Sequence, residues 1–202
     1  MPLKSETQII KPNVNIEIDE GPKEECGIVG IYAPGMQVAN SIYFGLFALQ
    51  HRGQESAGIA VVSPSSEINL VKDVGLVNQV FNQENLQNLQ GHLGIGHTRY
   101  STTGSNVQYN AQPLCCTSVY GKIAVAHNGN LVNTKELREQ LGEEGVSFES
   151  TNDSEVIALL LSKHYGTELE SAVKTVMPML QGAFSLAIMN ENKVIGIRDS
   201  HG

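Results

Sequence analysis

The sequence has no tryptophan, few aromatics, few basic residues and no long apolar run. Aromatic residues make up 5% of its 202 positions, and there are only three cysteines, Cys26, Cys115 and Cys116. An odd number with two adjacent does not build a disulfide framework, which fits a reducing compartment. No Cys-x-x-Cys and no paired histidine spacing is present among His51, His92, His97, His127, His164 and His201. A metal site made within this chain is therefore not expected. The longest apolar stretches resemble residues 157–161 and fall far short of the ~20 residues of a membrane span. The first 25 residues carry neither the apolar block of a signal peptide nor the arginines of a transit peptide, so a cytoplasmic location is expected. There are 13 Lys+Arg against 21 Asp+Glu, for a net charge of −8. With no basic cluster, a nucleic-acid partner is excluded as a first reading.

What remains is ordinary globular material, 41% hydrophobic, long enough for one well-packed domain. Residues 1–25 stand apart. They hold three of the seven prolines and a net charge of −3, with little apolar content, and read as an acidic leader. The domain starts at Cys26. Residues 26–33 are β-branched and glycine-punctuated, predicting a strand. Val38, Ile42, Leu46 and Leu49 recur at helical spacing, with Gly45 marking a close approach. Two strands are expected over 56–63 and 67–73, one helix over 76–89, and a strand over 93–99. Residues 103–112 are expected as a loop, and 122–126 as a strand ending in His127-Asn128-Gly129-Asn130. Helices are expected from Asn133-Thr134-Lys135-Glu136 to about Leu141, over 154–164 with Asp153 at the start, and from Thr167 to about Leu180. A hairpin closes the chain across Asn190-Glu191-Asn192. Strands come in runs instead of alternating with helices, which favours antiparallel sheets with packed helices.

Five features bear on chemistry. Cys26 sits where the leader meets the first strand. A lone cysteine is most simply a small buried hydrophobe. Were the chain cut after Glu25, however, the α-amino group of Cys26 would become a base for its own thiol. Asn128-Gly129 is either a hairpin turn or a pair of donors for a developing oxyanion. Arg99, at a strand end, is a surface ion pair or a fork for a carboxylate. Asp153 is an N-cap or a receptor for an ammonium group. Arg52, after the first helix, is structural or borders the same site.

The order of these segments is more specific than any one of them. Cys-Gly-Ile-x-Gly (26–30) is followed by Gln-His-Arg-Gly-Gln-Glu-Ser-Ala-Gly (50–58) and Gly-His-Thr-Arg-Tyr-Ser-Thr (96–102). Then come Asn-Ala-Gln-Pro-Leu (110–114), His-Asn-Gly-Asn (127–130), Asn-Asp-Ser-Glu (152–155) and Ile-Arg-Asp-Ser-His-Gly (197–202). Residues 24–202 resemble the glutaminase domain of the N-terminal-nucleophile (class II) glutamine amidotransferases, and within them the amidophosphoribosyltransferase branch. The resemblance implies an α+β fold, a four-layer α/β/β/α sandwich with two antiparallel sheets. It implies a glutaminase domain over 26–202 and removal of a propeptide over 1–25. The implied reaction is glutamine hydrolysis to glutamate and ammonia. The ammonia would feed 5-phosphoribosylamine synthesis from phosphoribosyl pyrophosphate in purine biosynthesis. By the same resemblance Cys26 is the nucleophile, and Asn128 and Gly129 form the oxyanion site. Arg99 would hold the substrate carboxylate and Asp153 its ammonium, with Arg52 beside the nucleophile. The implied partners are glutamine, a C-terminal phosphoribosyltransferase domain absent from this chain, and further copies in a homo-oligomer. Mg²⁺ and, in the propeptide-bearing branch, a 4Fe–4S cluster are implied for the full-length enzyme, without ligands in this chain. Ser200 departs from the family's usual proline. The alternatives are a glucosamine-6-phosphate synthase glutaminase domain and an unprocessed module that binds glutamine without turnover.

Overall fold

The structure is a computed structural model that describes residues 26–100 and 107–199. The leader, part of the polar loop and Ser200 lie outside the described residues. Among the described residues eight strands form two antiparallel sheets. The first contains β1 (Gly27–Tyr32), β2 (Ser56–Val62), β3 (Ile68–Val74) and β4 (Leu93–Arg99), in the order β1-β4-β2-β3. The second contains β5 (Leu114–Ser118), β6 (Gly121–Leu131), β7 (Gly182–Met189) and β8 (Val194–Arg198), in chain order.

Three apolar clusters make the layers. Helix α1 (Ala39–Ala48) and the short helices α2 (Val77–Val80) and α3 (Gln83–Asn88) cover the first sheet. Ile42 and Leu46 are fully buried there. Gly45 brings α1 close to β1, because a Cβ at that position would lie 3.0 Å from Val29. The middle layer joins the sheets face to face, with Leu93 and Ile95 opposed to Ala124, Ala126 and Ala187. Helices α4 (Thr134–Glu143), α5 (Asp153–His164) and α6 (Leu169–Val176) cover the second sheet. The result is the expected α/β/β/α sandwich.

Several local expectations change. The single helix over 76–89 is two, because Phe81 and Asn82 are extended and Asn82 caps the second by accepting from the Asn85 N–H. Strand β5 was not expected; Leu114–Ser118 is too short to carry a clear alternation. Strand β6 does not end at residue 126 but runs through Gly129 to Leu131, paired with β7 throughout that stretch. Asn133 sits at the N-cap of α4, as expected, but its side chain makes no cap hydrogen bond. Its side chain bridges Met179 O and Gln181 N instead. The cap of α5 is Asn152, not Asp153. Helix α6 begins at Leu169 without a side-chain cap and stops at Val176, where a 3₁₀ turn containing Pro178 takes over.

Candidate active site

Period-two alternation along the strands brings the candidate residues together. In β4, Leu93 and Ile95 point into the middle layer, so His97 and Arg99 continue the same face. In β6, Ala124 and Ala126 set the face that Asn128 continues. Cys26 precedes β1 on the face of Ile28, which also packs into the middle layer. Gly27 pairs with Thr98, which brings Cys26 beside the end of β4. The apolar middle layer thus becomes polar at one end, with residues from both sheets.

A cleft of about 740 Å³ opens there, lined by Cys26, Arg52, Asn128, Gly129, Ser185 and Asp199 among others. Cys26 Sγ lies 3.5 Å from both Tyr100 O and Tyr100 N. The 3₁₀ turn Gln50–Arg52 after α1 lets Arg52 Nε donate to Cys26 O at 3.4 Å. Gly129 adopts φ +133°, and a Cβ there would lie 2.2 Å from Ala183 O. Only glycine permits this backbone path at this distance. Asn-Gly here is therefore not a hairpin turn but part of a continuous strand.

Arg99 and Asp153 do not line the cleft, yet both are buried at one end of their elements. Arg99 is 3% exposed and lies 3.9 Å from Glu55 Oε2. Asp153 Oδ2 accepts the Leu131 N–H at 3.0 Å, and Oδ1 lies 3.4 Å from His127 Nδ1. Burial opposes the charge of Asp153, but His127 and the Leu131 N–H outweigh it and hold its carboxyl below the usual value. Both charges reach Cys26. Burial pushes the Cys26 thiol pKa up, the Tyr100 hydrogen bond and Arg99 oppose that rise, and Asp153 adds to it. A thiol raised in this way is a poor nucleophile without a base.

A family profile described as glutamine amidotransferase domain matches residues 97–202. The chain belongs to the glutamine amidotransferase family. Among curated relatives of this amidotransferase domain, the amidophosphoribosyltransferase of Synechococcus elongatus is 47% identical over 204 residues, covering 100% of this chain and 41% of the relative. That of Methanocaldococcus jannaschii is 51% identical over 180 residues, covering 88% of this chain and 38% of the relative. The solved glutamine phosphoribosylpyrophosphate amidotransferase of B. subtilis is 38% identical with a TM-score of 0.78, over 86% of this chain and 37% of that one. The chain therefore spans about two fifths of the length of these relatives.

Sequence reasoning gave no role to several residues of this amidotransferase site. Arg198 and Asp199 line the cleft, and Asp199 is tied to β7 by accepting the Phe184 N–H at 2.6 Å. Their place at the end of a strand, inside the Ile-Arg-Asp-Ser-His-Gly motif, was the available signal. Thr98 accepts the Gly27 N–H through its hydroxyl at 3.2 Å and so anchors the residue after Cys26. Among the described residues no group of three His, Cys, Asp or Glu side chains is placed to hold a metal ion. No described helix is long and apolar enough to cross a membrane.

Proposed function

We propose that this chain is the glutamine-hydrolysing part of an amidophosphoribosyltransferase. The observation that carries the reading is the cleft that sets Cys26 of the first sheet against Asn128-Gly129 of the second. The names of the relatives at 47% and 51% identity support the acceptor half. That half is the use of ammonia to make 5-phosphoribosylamine from phosphoribosyl pyrophosphate, in purine biosynthesis, in a cytoplasmic homo-oligomer. Mg²⁺ and any 4Fe–4S cluster belong, in this reading, to a phosphoribosyltransferase part.

In this reading residues 1–25 are removed and the new α-amino group of Cys26 takes the thiol proton. The thiolate attacks the side-chain amide carbon of glutamine. Negative charge develops on the amide oxygen, where the Asn128 amide and the Gly129 N–H donate to it. The C–N bond breaks, the amino group returns the proton, and ammonia leaves. Water then adds to the glutamyl thioester and glutamate departs, restoring the thiol. Free glutamine is a zwitterion, so selection needs one fixed cation and one fixed anion. We assign these roles to Arg99 and Asp153, which lie buried and off the lining of the cleft, and Arg52 holds the Cys26 carbonyl. The test is an intact-mass measurement of purified chain combined with a glutamate-release assay. The expected result is loss of residues 1–25 and glutamate release that vanishes in Cys26→Ala. Processed chain that releases no glutamate, with or without phosphoribosyl pyrophosphate and the acceptor domain, overturns the reading.

A further inference from the structure

Strand β5 stops before β6 does. Its last pair is Leu114 with Val125, so residue 127 has no strand neighbour on that edge. In an antiparallel ladder the N–H and C=O of one residue point to the same edge. Both backbone groups of His127 therefore face a gap, and the residue is only 2% exposed. Water is not at hand to satisfy them.

Two side chains fill the gap. The Gln112 Oε1 accepts the His127 N–H at 2.7 Å. The His97 Nε2 lies 2.9 Å from the His127 carbonyl oxygen. A carbonyl only accepts, so the hydrogen sits on Nε2 of His97. His97 Nδ1 is buried with no hydrogen-bond partner among the described residues, as expected of a neutral imidazole. Gln112 Nε2 also donates to Ser154 Oγ at 2.9 Å, and that hydroxyl lies 3.0 Å from His127 Nδ1. Residue 127 is thereby held by the first sheet, by the segment before β5 and by α5. The next two residues are Asn128 and Gly129.

We infer that His97 and Gln112 are positioning residues that stand in for the missing strand and fix the Asn128-Gly129 pair opposite Cys26. This rests on the reading of that pair as the oxyanion site. Gln112 holds the pair within its own sheet. His97 is the member that crosses between sheets, tying the strand of Arg99 to the strand of the oxyanion donors. Neither residue lines the cleft. Their effect is on a geometry that matters in the transition state and little in the bound ground state.

The test compares the full chain with His97→Phe, His97→Gln and Gln112→Leu. Glutamine places an amide nitrogen the same number of bonds from Cα as Nε2 of histidine, so it restores the donor. Amide hydrogen exchange at residues 127–129 should rise at least about tenfold in His97→Phe and Gln112→Leu. It should return toward wild type in His97→Gln, with residues 123–125 unchanged in all three. In glutamate release, kcat should fall about 10- to 100-fold with KM for glutamine within about twofold, again rescued by His97→Gln. Unchanged exchange at 127–129 in folded His97→Phe or Gln112→Leu overturns the proposal. So does a loss carried by KM, or one that His97→Gln shares. If exchange responds as stated while processed wild-type chain releases no glutamate, the functional reading fails and the positioning role stands.

Discussion

Acid should destabilise this fold through His97, by an amount the structure sets. The ring is fully buried, and its pKa is lowered from 6.5 to about 3. Burial is the main cause. The hydrogen bond to the His127 carbonyl opposes it, while the charges of His127, Arg99 and Lys72 reinforce it. A histidine depressed in the folded state is protonated first in the unfolded state. Stability is therefore complete above the unfolded value near 6.5 and falls as pH drops toward 3. Each unit costs about 1.4 kcal/mol, so the change from pH 7 to pH 5 removes about 2 kcal/mol. Urea unfolding of wild type and His97→Gln at both pH values isolates this contribution, because the other titrating groups are common to both. Wild type should lose about 2 kcal/mol more than the variant over that interval. A difference under about 0.5 kcal/mol would show that His97 is protonated or solvated in the folded chain, against the geometry described.

Gly129→Ala should abolish glutamate release and lower stability by more than about 2 kcal/mol, since the added methyl meets the β7 backbone at a positive φ; an active, stable variant would mean that β7 can move aside. Arg99→Lys should raise the KM for glutamine about tenfold or more, because an ammonium cannot reproduce a two-pronged carboxylate contact; saturation kinetics give the answer. Leu46→Ala, at a fully buried position facing the first sheet, should cost about 2–5 kcal/mol by urea unfolding. In leader-bearing chain the Cys26 thiol is raised above its usual pKa, so its alkylation by iodoacetamide should still be climbing between pH 9 and 10. A rate that levels off below pH 8.5 contradicts the burial of that thiol.

The layers were legible in the sequence where one face is apolar. Val38, Ile42 and Leu46 announce α1, and the run of small and apolar residues in 56–62, buried at every position, marks a strand enclosed on both faces. The limits of the helices were less legible, even where a side chain caps: Asn82 caps α3 inside a stretch, 76–89, that reads as one helix. Asn133 and Thr167 look like caps, but Asn133 satisfies backbone groups near residue 180, a tertiary demand that local pattern does not reveal. The site residues were readable as types, and the structure places four of the six, Cys26, Arg52, Asn128 and Gly129, on one cleft. The path of β6 through Gly129 was not readable, because Asn-Gly is ambiguous until the opposing strand is known. Asp153 was read as a cap or a binding carboxylate. Its neighbour Asn152 takes the cap, which leaves the Asp153 carboxylate to Leu131 and His127.

The middle layer carries a consequence for how such a site changes over time. Cys26 hangs from one sheet and Asn128-Gly129 from the other, so on the proposed roles the gap between nucleophile and oxyanion donors equals the thickness of what lies between. On the side of the second sheet that filling is mostly alanine, at positions 124, 126 and 187. A methyl added at Ala126 would act as a shim, spreading the two halves by a fraction of an ångström without altering any residue of the cleft. Reaction rate is then adjustable from the interior, and drift in the least conspicuous side chains of the domain becomes a route to faster or slower chemistry.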